Sequence, residues 1–369
     1  MSFNIQNEEK DKFNSKNSII PDSIKKNRSE IITYISFAKI ISSYGVIVLH
    51  VNGFWENKSD DIKLFLILNF YETFFYFSVP IFVLCIGATL LNFNEKYSLL
   101  EYNKKRIFKV LIPLLGWNVI LYIYKAYFLK NLTKEVFSFS NIWNYFFLSK
   151  VYHIFDSLHS FLLTYMLVPL IAYIEKANKM KICIYYFYLL LITQAFIPYL
   201  INIFQIKIVW IYSLKMGYII YIFAGYIIHN YKFSIRQKYI IYIFGVISFI
   251  VHFFGTLICF LTNKYNLRLH KGYHNFPSII YSCAVFLFIK ENRKIFSGIK
   301  ISKFINKIGS LTLGPFFLHN PLVETIRLDS KLYNFFSKNT LFFSFFIFLL
   351  CLIISIILKQ IPFFKILVP

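Results

Sequence analysis

Lys39 and His50 stand eleven residues apart inside one apolar stretch, residues 33–55, TYISFAKIISSYGVIVLHVNGFW. On an α-helix that spacing turns by about 1100°, three turns plus about 20°, and rises about 16 Å. Both side chains therefore face the same way, one near each end of a segment long enough to cross hydrocarbon. Ionisable groups inside a bilayer are costly, so they face protein-lined or watery space and mark functional pathways. A histidine can take and give a proton near neutral pH, as general acid–base work requires. A lysine ammonium is a compact charge that pairs with phosphate. The pair suits a phosphate-bearing donor held at one membrane face and a proton transfer deeper in. The plainer reading is a histidine bonded between helices and a lysine snorkelling to the interface.

His319 lies in a late apolar stretch, LGPFFLHNPLV. By helix rise it reaches about the same depth as His50 on a span of the same direction, so two histidines could flank one reacting centre. Its structural alternative is a bond to a neighbouring carbonyl, eased by Pro315 and Pro321. Glu72, Asp156 and His159 fall near the starts of two other stretches and are weaker candidates for binding a sugar. As interface residues reached by water they would need no such role. His252, in IVHFF, reads as a helix-to-helix hydrogen bond, and Lys125 and Lys215 as snorkelling residues. Glu324, Arg327 and Asp329 read as a solvated cluster, and His270 and His274 as solvated loop residues.

The elements that must position these groups are membrane helices. Of 369 residues 57% are hydrophobic, 21% aromatic and only 15% charged, a composition too apolar for an ordinary soluble domain. Continuous apolar stretches of spanning length recur, without the period-two alternation of a barrel strand. Ten spans are expected, at 34–54, 70–92, 108–129, 157–174, 182–202, 209–229, 239–261, 275–290, 308–325 and 340–358. Residues 1–33 are read as a polar cytoplasmic tail and 34–369 as one integral membrane domain. The first 20 residues lack the apolar core of a signal peptide, so the first span is the expected insertion signal.

The formal net charge of +23 would suit nucleic acid, but the lysines and arginines sit in short loops between spans. Loops 93–109, 175–181, 230–238 and 290–307 are richer in them than the longer loops opposite, although loop 262–274, with Lys264, Arg268 and Lys271, runs against the trend. Both termini are then expected in the cytoplasm. All five cysteines fall within spans, with no metal-ligand spacing, so neither disulfides nor a metal site is expected. No phosphate-cradling Gly-rich loop, HExxH or GxSxG is present.

Four segments in order carry a resemblance. They are Lys39-IISSYGVIVL-His50; SVPIFVLCIGATLL with Val79, Pro80, Phe82 and Gly87; KKRIFKVLIPLLGW with Lys105, Arg106, Lys109 and Pro113; and LGPFFLHNPLV with Gly314 and His319. Together they resemble the acyltransferase-3 family, membrane acyltransferases that modify surface polysaccharides and other extracytoplasmic acceptors. The chain departs from that pattern at Ile86, where a serine is usual, at Phe316, where a tyrosine is usual, and at Pro315. The family's tryptophan-containing segment before span four appears only as YHIFDSLHSFLL, and an acidic residue shortly before the first-helix basic residue is missing.

The resemblance implies transfer of an acyl group, usually acetyl, from acetyl-CoA or another acyl-CoA to a hydroxyl of a surface glycan or lipid-linked sugar. His50 and His319 would be catalytic, and Lys39, Arg106 and Lys109 would bind the donor's phosphates. Positive-inside topology alone would also place Arg106 and Lys109 where they are. The donor is a substrate, and no bound cofactor is expected. The lipid bilayer and glycan-assembly proteins are the other expected partners, nucleic acid is not, and the inner membrane is the expected location. Two other readings stand beside this one: an exporter of polysaccharide or lipid-linked sugar, and a catalytically weak scaffold for glycan assembly.

Overall fold

The structure, a computed structural model, describes residues 22–55, 61–127, 154–206, 218–262, 267–296, 298–329, 331 and 339–368. Among them every regular element is helical. In chain order these are α1 (Asp22–Asn52), α2 (Ile62–Phe75), α3 (Ser78–Leu90), α4 (Leu99–Tyr127), α5 (Ile154–Ala172), α6 (Lys176–Leu190) and α7 (Ile197–Phe204). They continue with α8 (Ile219–Asn230), α9 (Ile235–Thr262), α10 (Phe276–Glu291), α11 (Ile299–Gly309), α12 (Leu313–Leu328), α13 (Thr340–Leu358) and α14 (Pro362–Leu367).

Six stretches are long and apolar enough to cross a bilayer: Ile32–Asn52, Ile62–Glu95, Leu99–Lys125, Lys176–Phe204, Ile235–Thr262 and Thr340–Leu358. They coincide with six of the ten expected spans. Ser160–Ala172 and Ile219–Asn230 are shorter apolar helices at two more, and α10 and α12, 16 residues each, occupy the remaining two. The first helix begins at Asp22, inside the segment read as a tail.

The second span departs from its expected form. It starts at Ile62 rather than at residue 70 and is broken between α2 and α3. Pro80 has no N–H to offer the Tyr76 carbonyl, which opens the helix there. Ser78 Oγ donates instead to the Phe75 carbonyl at 2.6 Å. Beyond the break α3 is buried almost all round, as expected of a segment with no polar face at the centre of a bundle.

Helix α1 packs against α2, α3, α10, α11, α12 and α13, and α3 packs against α8. The α3–α8 contact is backbone to backbone. A Cβ on Gly87 would lie 2.1 Å from the Ile222 carbonyl oxygen, and one on Gly225 would lie 2.1 Å from that of Leu84. Gly87→Val should therefore force the helices apart, at a cost of about 1–3 kcal/mol or more for overpacking against backbone that has no free end to swing away. A thermal melt of the purified protein checks this, and an unchanged melting temperature would refute the close approach.

Candidate active site along the first helix

Helix α1 ends after Asn52 because Gly53 takes a left-handed conformation (φ 64°), the usual glycine stop. The chain then folds back on α2. Asn52 Nδ2 donates to the Leu68 carbonyl at 2.8 Å, and Trp55 Nε1 donates to Glu72 Oε1 at 2.9 Å. This turn fixes the end of α1 that carries His50.

His319, on α12, is fully buried, and its ring centroid lies 4.9 Å from that of His50, with 55° between the planes. Its Nδ1 is 2.8 Å from the Pro315 carbonyl oxygen. A carbonyl only accepts, so Nδ1 carries a proton, and the neutral ring keeps its lone pair on Nε2. That Nε2 is buried and has no hydrogen-bond partner. Arg327 Nη2 also donates to the His50 carbonyl at 3.3 Å, tying α12 to the end of α1. The arrangement presents one buried imidazole nitrogen with an open lone pair beside a second imidazole. The bond to a neighbouring carbonyl, weighed as a purely structural role, is present, and it leaves Nε2 open.

Lys39, Arg106 and Lys109 come together around one cavity of about 430 Å³, of ordinary small-molecule size. Phe82, Cys85, Ile86, Thr89, Tyr165 and Phe316 also line it. Arg106 Nε is buried and makes no hydrogen bond, so the cavity offers an unpaired cationic donor. Neither histidine is among the lining residues. The two parts of the site lie about 16 Å apart along α1, by the eleven-residue rise from Lys39 to His50.

Glu72 corrects its expectation as a water-reached interface residue: it is 2% exposed. Its Oε1 holds Trp55, Asn52 stands close to the same carboxylate, and Oε2 has no partner. His252 corrects another reading: its ring lies against Tyr76 and the His270 backbone rather than bonding a neighbouring helix. Lys271 looked like an ordinary loop residue that ran against the charge bias. It is 2% exposed, donates to Thr73 Oγ1 at 2.7 Å and lies over the Phe54 ring. Burial pushes its ammonium below the usual lysine range, with Glu72 opposing. The sequence carries no periodic signal for this burial, because Lys271 belongs to the connection between α9 and α10. His270, read as solvated, bonds Tyr199 at 2.6 Å, and burial pushes it down to about 4. Asp156 and His159 fall within the bounds of α5, but their side chains lie outside the described residues.

A larger cavity of about 590 Å³ opens between α6, α8, α9 and α10. Its walls are mostly apolar side chains, with Tyr188, Tyr231, Gln237 and Cys283 among them and no charged residue.

An all-helical bundle with spanning helices defines a multi-pass membrane protein, in which two histidines are in contact and a cavity lined by Lys39, Arg106 and Lys109 lies further along α1. Residues 32–360 match the model of the acyltransferase domain that defines the acyltransferase-3 family, and the chain belongs to that family and is a membrane acyltransferase. No curated protein and no solved structure gives a match.

Proposed function

We propose that the protein transfers an acyl group, acetyl in the simplest case, from acyl-CoA to a hydroxyl of a cell-surface polysaccharide or its lipid-linked precursor. The observation that carries this is the contact between His50 and the buried His319, with an unpartnered Nε2 on His319. The donor's phosphates sit against Lys39, Arg106 and Lys109, and its thioester arm runs along α1 toward the histidines. The acceptor oxygen attacks the thioester carbonyl carbon, forming the C–O bond while the C–S bond breaks. The hydroxyl proton passes to a histidine and from there to the departing thiolate. Atoms and charge balance without any cofactor.

In this reading ten spans place both termini in the cytoplasm of an inner membrane. The Lys39 end of α1 then faces the cytoplasmic acyl-CoA pool, as the basic loops 93–109 and 290–307 also favour. Glycan-assembly proteins would supply or carry the acceptor.

The test is mass spectrometry of surface glycan and lipid-linked intermediates from cells with the gene intact or deleted. Loss of one acetyl mass per modified sugar in the deletion supports the reading. An unchanged mass with glycan retained inside the cell would replace acyl transfer by export.

A further inference from the structure

We propose that the buried cluster of Glu72, His252 and Lys271 beside Trp55 binds the acceptor, and that the part it recognises is a polyhydroxylated ring, a sugar residue. The inference rests on the acyl-transfer reading.

Three elements build the cluster: α2 supplies Glu72, α9 supplies His252, and Lys271 comes from the chain between α9 and α10. Tyr76 joins them. Its ring centroid is 4.7 Å from that of His252 and 5.9 Å from Lys271 Nζ, and it follows Glu72 by one helical turn. Glu72 and His252 are 2% and 1% exposed, yet Glu72 Oε2 and the nearby Asn52 Oδ1 make no hydrogen bond, and the His252 ring meets only the His270 backbone. Burying such groups unsatisfied is unfavourable and rare, and each instance calls for a physical reason.

The unmet groups define the ligand. A carboxylate oxygen and an amide oxygen only accept, a neutral imidazole offers one donor and one acceptor, and an ammonium only donates. Hydroxyls, which both donate and accept, match that set. A divalent cation matches poorly, because it would meet one carboxylate and one imidazole beside the Lys271 ammonium. The apolar face of a sugar ring also needs aromatic surface, and Phe54, Trp55, Tyr76 and Tyr273 surround the cluster, with the Tyr76 and Tyr273 rings stacked at 4.6 Å. Trp55 is 42% exposed, which leaves this aromatic edge open to an entering ligand.

Position agrees with chemistry. Asn52 and Trp55 follow His50 by two and five residues, while Lys39 precedes it by eleven. The cation-lined cavity, the histidine pair and the hydroxyl-binding cluster thus succeed one another along a single helix and the turn after it. Donor and acceptor would approach the histidines from opposite ends.

The experiment uses the full chain in lipid nanodiscs. Binding of radiolabelled methyl glucoside, methyl galactoside and N-acetylglucosamine is measured by equilibrium dialysis, with coenzyme A binding as a parallel readout. At least one glycoside should bind, and Glu72→Gln and His252→Phe should each raise its Kd about tenfold or more, while coenzyme A affinity stays unchanged. Trp55→Phe, at a position 42% exposed, should weaken sugar binding too, so the inference stays testable if the buried variants fail to fold. Absence of glycoside binding to the wild-type protein, or equal binding by wild type and variants, would overturn it. Sugar binding without coenzyme A binding would instead sink the acyl-transfer reading and leave this site standing.

Discussion

Replacing His50 by Gln should lower kcat for acyl transfer by about 10²- to 10⁴-fold, the usual contribution of a positioned acid–base group. The donor KM should change little, because the cationic cavity does not include His50. Glutamine keeps polarity and approximate shape but cannot carry a proton through the reaction. His319→Gln should show a comparable loss. Its amide can still donate to the Pro315 carbonyl, which now holds the ring, so α12 should stay folded while the basic Nε2 disappears. Because the two rings are in contact, the double variant should be scarcely slower than either single one, as groups acting as a unit are not additive. Steady-state release of free coenzyme A thiol measures all three proteins, with insertion checked by surface labelling. Full activity in His50→Gln would end the mechanism. A purely multiplicative loss in the double variant would mean that the histidines act separately.

The second large effect is expected in the cation-lined cavity. Arg106→Met and Lys39→Met should each raise the donor KM about 10- to 100-fold with kcat nearly kept. A hydrogen bond to a charged group is worth about 1.5–3 kcal/mol, and about 1.4 kcal/mol corresponds to tenfold in affinity. Arg106 should be the more costly, since its Nε is already buried without a hydrogen-bond partner. Lys109 is more exposed, so Lys109→Met should cost less, as solvent screens exposed charges. Titrating desulfo-coenzyme A against dephospho-coenzyme A would localise the contact. Discrimination between the two should shrink in the variant that loses the phosphate partner. If both methionine variants bind coenzyme A as the wild type does, these cations serve membrane topology alone.

Glu72, His252 and Lys271 show where the sequence stopped being informative. The residue types were visible, and so was the cost of placing them in hydrocarbon. Their mutual proximity was not, because it joins residues nearly 200 positions apart across a connection without periodicity. The same limit hid the break between α2 and α3, which depends on how Ser78 and Pro80 rearrange a few backbone bonds.

What the sequence determined by itself is the helical membrane class, most of the spanning stretches and the alignment of Lys39 with His50. These are local properties, set by apolar run length and by 3.6 residues per turn. Family membership was also legible, because four short motifs keep their order and their helix positions. The tertiary structure decided what lies against that first helix: His319 against His50, Arg106 and Lys109 against the cavity of Lys39, and Glu72 turned inward beneath Trp55. Those contacts follow from packing between helices, where close approaches such as Gly87 on α8 and the glycine turn at Gly53 set the geometry. A hydropathy pattern specifies which face of a helix is buried, but the neighbour it meets there depends on the whole bundle.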